Sequence, residues 1–361
     1  MVHLLGSENW ARAVHYLGGD LVAGELQGAT RALISTALMS GRDAAGSGLA
    51  SVLHLLDATG ADTSYQEYAA QRLLYYVFDA LSTRASLDVQ ETFARRIAAY
   101  FDRLIAFDPG LRARLDVHRA ASHTRLGQLQ EARGRLADAE ASVRRSNAIS
   151  DRLTQGHPDV PEWQRDRSVG YNQIGKLQLA QGRTAAAVAS FRDSLALVQR
   201  VADAQPDEPE WQRDLAISHR NLGDAQLAQG DGAGAEASYR TALAISERLL
   251  AQSPEHLDRQ YDLSLDHNRL WKLQASRGDM AGAEASARAN VAVLDRLVDR
   301  APDNLLWRHA LLVAHQDLSF AQVRRGRLAE AEASMRTALS MVERLTRYDP
   351  TNPLWQAARS F

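Results

Sequence analysis

Apolar residues return at three- and four-residue steps along most of the chain, the spacing of one helix face. Between Ala233 and Ala251 the stripe is Ala235, Tyr239, Ala242, Leu243, Ile245 and Leu249. Between Trp211 and Gln229 it includes Leu215, Leu222, Ala225 and Leu227. Gly230 separates the two stretches, at a place where a residue able to take the left-handed conformation ends a helix. Ser253 and Pro254 follow the second stretch, and Pro209 opens the first near its first turn. The pattern predicts two antiparallel helices joined by a short turn. No segment alternates as a half-buried strand does, so the expected class is all-α.

The hairpin recurs. Trp163, Trp211, Trp307 and Trp355 lie on a 48-residue lattice whose remaining slots hold Leu115 and Arg259. Gly134, Gly182, Gly230, Gly278 and Gly326 share that period, as do Pro158, Pro206, Pro254, Pro302 and Pro350. Residues 115–354 therefore read as five 48-residue units. One hairpin cannot bury both its apolar stripes, so each must lean on the next. Alanine columns, one of them Ala139, Ala187, Ala235, Ala283 and Ala331, predict close helix approach, where a bulkier residue would cost about 1–3 kcal/mol.

Leu222-Gly223, Gly230, Ala235, Tyr239 and Ala242 stand at the spacing of the tetratricopeptide repeat signature, and the stretch 115–354 resembles that family. The unit departs from the usual length of about 34 residues, the surplus lengthening both helices. The resemblance implies a right-handed superhelical solenoid of antiparallel hairpins, with the first helix of each unit lining an inner groove. Residues 64–114 read as a degenerate unit, because Asp102-Arg103-Leu104 and Asp108-Pro109 echo Asp151-Arg152-Leu153 and His157-Pro158 one residue out of step. Residues 1–63 read as an N-terminal helical cap, and 355–361 as the start of a truncated sixth unit. Within 63–70, Ser64-Tyr65-Gln66-Glu67-Tyr68-Ala69-Ala70 resembles a stretch in the helical arms of STAND- or NACHT-type signalling NTPases, which implies the sensor half of a larger switch.

Composition narrows the function. The chain has 361 residues, 45% of them hydrophobic, with 42 basic and 44 acidic side chains and no cysteine. A formal charge of −2 gives no global attraction to nucleic acid or anionic membrane. Disulfides, thiolate catalysis and Cys-ligated zinc are excluded. No run of 18 apolar residues and no basic leader is present, so a cytoplasmic location is expected. There is no Gly-rich phosphate loop, Gly-x-Ser-x-Gly elbow or His-Glu-x-x-His pair, which argues against an enzyme and against a bound cofactor.

Several columns invite chemistry. His123, His219, His267 and His315, with Tyr171 in the gap, would sit about 8–10 Å apart on successive helices, too far to share a metal, so packing or hydrogen bonding is expected. Gln130, Gln178, Gln226, Gln274 and Gln322 form an unbroken column, read as a polar ladder fixing helix register or as one facing a ligand. Arg144, Arg240, Arg288 and Arg336 each follow a glutamate by four residues, the pattern of a solvated face. The tryptophans are read as packing between units.

The family resemblance places three variable columns in the groove. These are Thr124, Asn172, Arg220, Asn268 and Gln316; Arg125, Gln173, Asn221, Arg269 and Asp317; and Gln128, Lys176, Asp224, Lys272 and Phe320. With five basic and two acidic members, the groove implies a protein-interaction scaffold holding an extended, acidic peptide. Some family members clamp a terminal carboxylate with lysines, asparagines and an arginine. Asn221 and Arg269 fill two of those five slots, while Asn172, Lys176 and Leu265 hold other types. Self-association through the array ends is a further expectation, because Trp355 begins a sixth first helix and the unit stops short.

Overall fold

The computed structural model describes residues 86–156 and 160–348. The proposed cap over 1–63, the motif at 63–70, Pro158, Pro350 and Trp355 onward lie outside the described residues. The chain divides into two compact units, Met1–Gln181 and Gly182–Phe361. The division falls between the two helices of the second 48-residue repeat.

All regular structure among the described residues is helical. The first unit holds α1 (Leu87–Phe107), α2 (Arg112–Ala132), α3 (Leu136–Gly156) and α4 (Pro161–Ala180), each packed on the next. The second holds α5 (Thr184–Ala204), α6 (Pro209–Gln229), α7 (Gly232–Gln252), α8 (Leu257–Ser276), α9 (Met280–Arg300), α10 (Leu305–Arg324) and α11 (Leu328–Tyr348), again in sequential contact. The second helices, α3, α5, α7, α9 and α11, begin and end at a strict 48-residue interval. Helices expected at about 211–229 and 233–251 are found as α6 and α7, within two residues at each end.

Local chemistry sets these boundaries. Pro161 and Pro209 occupy the first turns of α4 and α6, where a missing N–H costs nothing. The side chain of Asn304 caps α10 by accepting from the Trp307 N–H at 3.2 Å, and Asp231 and Asp279 cap α7 and α9 through the N–H groups of Gly234 and Gly282. Between the helices of each repeat the lattice glycines take φ values of 73° at Gly134, 74° at Gly182, 89° at Gly230, 78° at Gly278 and 74° at Gly326. They are the only residues with positive φ among those described. After Gly134, Gly230, Gly278 and Gly326 the next N–H returns to the carbonyl of Gln130, Gln226, Gln274 or Gln322 at 2.8–2.9 Å, which closes a Schellman turn.

Apolar packing runs through both hairpins and the seams between them. Val198, Val201 and Ala202 of α5 join Trp211, Leu215 and Ala216 of α6 and Ala242, Ile245 and Leu249 of α7. Leu263 of α8, Val291, Leu294 and Leu297 of α9, and Trp307 and Leu311 of α10 repeat the arrangement. In the first unit Trp163 lies against Ala120, Ile149 and Leu153. Each of these tryptophans thus packs on the preceding repeat, as its lattice position predicts.

Candidate functional site

The first helices of adjacent repeats in the second unit, α6, α8 and α10, carry the groove columns. Their side chains form a ladder of polar pairs between repeats. The Nε of Arg220 donates to Asp266 at 2.7 Å, with Asp262 at 3.6 Å. Arg269 donates to both carboxylate oxygens of Asp224 at 3.0–3.1 Å. The amide of Asn268 donates to Asp317 at 3.3 Å, and Arg213 donates to Asp262 at 2.6 Å. The hydroxyl of Tyr239 donates to Asp224 at 2.7 Å, which ties the ladder to α7.

This geometry corrects part of the sequence reading. Arg220 and Asn221 are buried rather than presented to a ligand. Arg220, Asp224 and Arg269 are engaged with one another's repeats, and Asp262 and Asp266 supply acidity that the groove columns do not count. Two of the five basic residues expected in the groove, Arg220 and Arg269, are neutralised within it, by Asp266 and Asp224, while Lys176 and Lys272 stay exposed. Lys272 and Phe320 are exposed, the latter at 50%, with Val323 exposed one turn on. Asn268, Arg269 and Gln316 are half-buried. In the first unit, Asn172 is half-buried and Lys176 exposed. Burial pushes the carboxyl of Asp317 up to about 7, with the Lys272 charge opposing the rise.

Other columns resolve into structure. The Ser142 and Ser238 hydroxyls donate to Gln130 and Gln226 at 2.7 Å, Ser334 does so to Gln322 at 2.9 Å, and Ser286 meets the Gln274 amide at 2.7 Å. These four glutamines therefore tie the first helix of a repeat to its own second helix, while Gln178 also donates to Glu140 of the preceding repeat at 3.2 Å. The serine partners also lie on the 48-residue lattice, a signal the sequence reading passed over. The histidines are mostly enclosed. Burial lowers the pKa of His123, His219, His267 and His315, and the Nδ1 atoms of His123, His219 and His315 have no partner. No metal-binding group occurs among the described residues.

The Glu–Arg pairs are not uniformly a solvated face. The carboxylate of Glu284 is 3% exposed and accepts from Arg288 and Arg325 at 2.6 Å and from Arg327. Arg325 and Arg327 flank the Schellman glycine of the following repeat. Glu91 of α1 is held in the same way by Arg95, Arg133 and Arg135. These glutamates are rivets between repeats, while Glu332 and Arg336 form an exposed pair.

Residues 214–258 match the tetratricopeptide repeat family model. No curated protein matches the chain. Among solved structures, BtubC from P. vanneervenii is similar at 18% identity over 74% of this chain and 95% of that one, with a TM-score of 0.57. RapI in its apo form aligns at 12% identity over 78% of this chain and 99% of that one, TM-score 0.47. A putative kinesin light chain with TPR-like repeats from Podosopora anserina aligns at 19% over 66% and 98%, TM-score 0.43. No described helix is long and apolar enough to cross a membrane. The matched repeat, its glycine-turned recurrence at 48 residues and the fold shared with BtubC give the described residues a tetratricopeptide-like helical-repeat fold.

Proposed function

We propose that this chain is a non-enzymatic protein-interaction scaffold that holds a peptide or partner segment along the first helices of its repeats. The observation that carries this reading is the combination on α8 and α10: an exposed cation at Lys272 beside an exposed apolar surface at Phe320 and Val323. Isolated exposed apolar residues are ordinary, but here they share a face with half-buried Asn268 and Gln316, whose amides can bind an extended backbone. An acidic residue on the partner would pair with Lys272. The STAND-type alternative rests on 63–70, and no described residue favours it.

The test is capture of partners from the native host by wild-type chain and by the double variant Lys272→Glu, Phe320→Ala, with Arg336→Glu as a control on an exposed second-helix pair. The double variant is expected to lose the partners that the control retains, with unchanged circular dichroism. Retention by both would overturn the groove assignment. Arg220→Glu is unsuited to this purpose, because it adds a third carboxylate beside Asp262 and Asp266.

A further inference from the structure

The seam between α7 and α8 has two unlike halves. On the side of the glycine turns it is apolar: Ala235 and Tyr239 of α7 pack on Leu270 and Leu273 of α8. On the side of the linker 253–256 it is largely polar, with Leu250 and Leu257 half-buried beside it. Arg259 stands where α6 and α10 carry Trp211 and Trp307, Ser246 where α5 and α9 carry Val198 and Leu294, and Asp266 where α6 and α10 carry Ser218 and Ala314. In the α5–α6 seam that same half is filled by Val198, Ala202, Trp211 and Ala216, and in the α9–α10 seam by Leu294, Leu297 and Trp307. Of these three seams, the middle one alone lacks its tryptophan.

Polar contacts hold the linker-side half closed. Asp266 is 1% exposed and accepts from the Arg220 Nε at 2.7 Å and from the Ser246 hydroxyl at 2.6 Å. Asp262 accepts from Arg213 at 2.6 Å, and the Nη1 of Arg259 donates to the Leu249 carbonyl at 3.3 Å. The Nη2 of Arg220 is buried with no acceptor, and the closed seam has no room for a water molecule to supply one. A buried donor left unmatched is costly, and buried ion pairs give no stability over the apolar packing they replace. Burial raises the pKa of Asp266 although the Arg220 charge opposes it, the sign of a carboxylate held at a cost.

We propose that the linker-side half of this seam is a hinge in the second unit. The end of α7 and the start of α8 part there, pivoting on the apolar contact of Ala235 and Tyr239 with Leu270 and Leu273, while the seams on either side stay closed. In a repeat array the weakest interface between neighbours sets where the chain divides. Parting hydrates Asp262, Asp266 and three guanidinium groups, and it gives the Arg220 Nη2 its missing acceptor. Parting either neighbouring seam instead brings a tryptophan and its aliphatic surroundings into water. The helices α5–α7 and α8–α11 thus move against each other as two bodies. That this motion lets the first-helix face adjust to an occupant rests on the scaffold reading; the hinge itself does not.

The experiment is native-state hydrogen exchange of the full chain, read by mass spectrometry at several urea concentrations below unfolding. Residues 246–264 are compared with 198–216 and 294–312, which fill the same slots one repeat earlier and one later. Protection of 246–264, corrected for intrinsic amide rates, is expected to be about tenfold or more below both, with a shallower dependence on urea, because a local opening exposes little surface. A triple variant, Arg220→Gln with Ser246→Val and Asp266→Ala, matches these slots to Gln316, Val198 and Ala314 and removes both members of the buried pair together. It is expected to raise the protection of 246–264 to the level of its counterparts. Protection of 246–264 equal to or above that of either counterpart in the wild-type chain would overturn the hinge, whether or not the triple variant folds. Unchanged protection in a triple variant with native circular dichroism would overturn it as well. Neither result touches partner capture through Lys272 and Phe320, which is read by a separate variant.

Discussion

Gly223 has no room for a methyl group, since a Cβ there would lie 2.5 Å from the Tyr239 ring. One repeat later the pair is reversed: Trp271 stands in the glycine slot and Ala287 in the tyrosine slot, and Trp271 packs on the cluster that contains Ala287. Gly127 and Val143 form a third version, with Val143 Cγ2 2.7 Å from the position of a Cβ. The volume is shared between the two helices and split differently in each repeat. Gly223→Ala is expected to destabilise by about 1–3 kcal/mol through overpacking, despite the roughly 1 kcal/mol that alanine gains in helix propensity. Urea unfolding checks this. In a Tyr239→Ala background the same change should become neutral or favourable, because the two residues are coupled. The Leu-Gly step was legible as part of a repeat signature. Its cause was not, because the matching ring lies on the other helix of the hairpin and differs from repeat to repeat.

At the scale of elements, identical sequence patterns have different worth. Glu236 with Arg240, Glu284 with Arg288 and Glu332 with Arg336 look alike, yet their carboxylates are 28%, 3% and 70% exposed. Burial works to raise the pKa of Glu284, and the surrounding arginines overcome it, so the carboxyl lies below its ordinary value. Glu284→Gln is expected to cost more than the 0–1 kcal/mol of a surface pair, and less than the roughly 3–5 kcal/mol of a fully buried one, because its arginines remain 39–54% exposed. Glu332→Gln should stay within about 0.5 kcal/mol. Chemical denaturation of both variants tests the ranking, and equal losses would remove the rivet. Helix boundaries were legible here because glycine and proline act locally. The rivet was not, since it depends on Arg325 and Arg327, more than 40 residues away.

For the whole molecule, buried titratable groups set a pH optimum. His123, His219, His267 and His315 have pKa values below 6.5, so the unfolded chain takes up protons first and stability falls as pH drops below 6.5. Asp317 has the opposite sign. Its folded pKa of about 7 against an ordinary 3.8 means that its contribution declines as pH rises through that window. Burial raises Asp266 and Asp295 in the same sense. Stability is expected to climb up to about pH 6.5 and to fall slightly above it, and Asp317→Asn should flatten the alkaline decline. Urea midpoints from pH 5 to 8 would show this; an unchanged profile in the variant would count against the burial of Asp317. The repeat period could be read from tryptophan, glycine and proline, and the helical fold from the three- and four-residue steps of apolar residues. The charge balance of the first-helix face could not, because Arg220 finds Asp266 in the next repeat. Gly127 and Val143, Gly223 and Tyr239, and Trp271 and Ala287 each belong to one hairpin, so these blocks carry both halves of their own internal fit. Unequal crossing-over between such blocks would lengthen or shorten the gene by whole modules without spoiling any module's interior. Only the joints between new neighbours would need to be matched again, which leaves a lineage of these chains able to change its reach faster than its core.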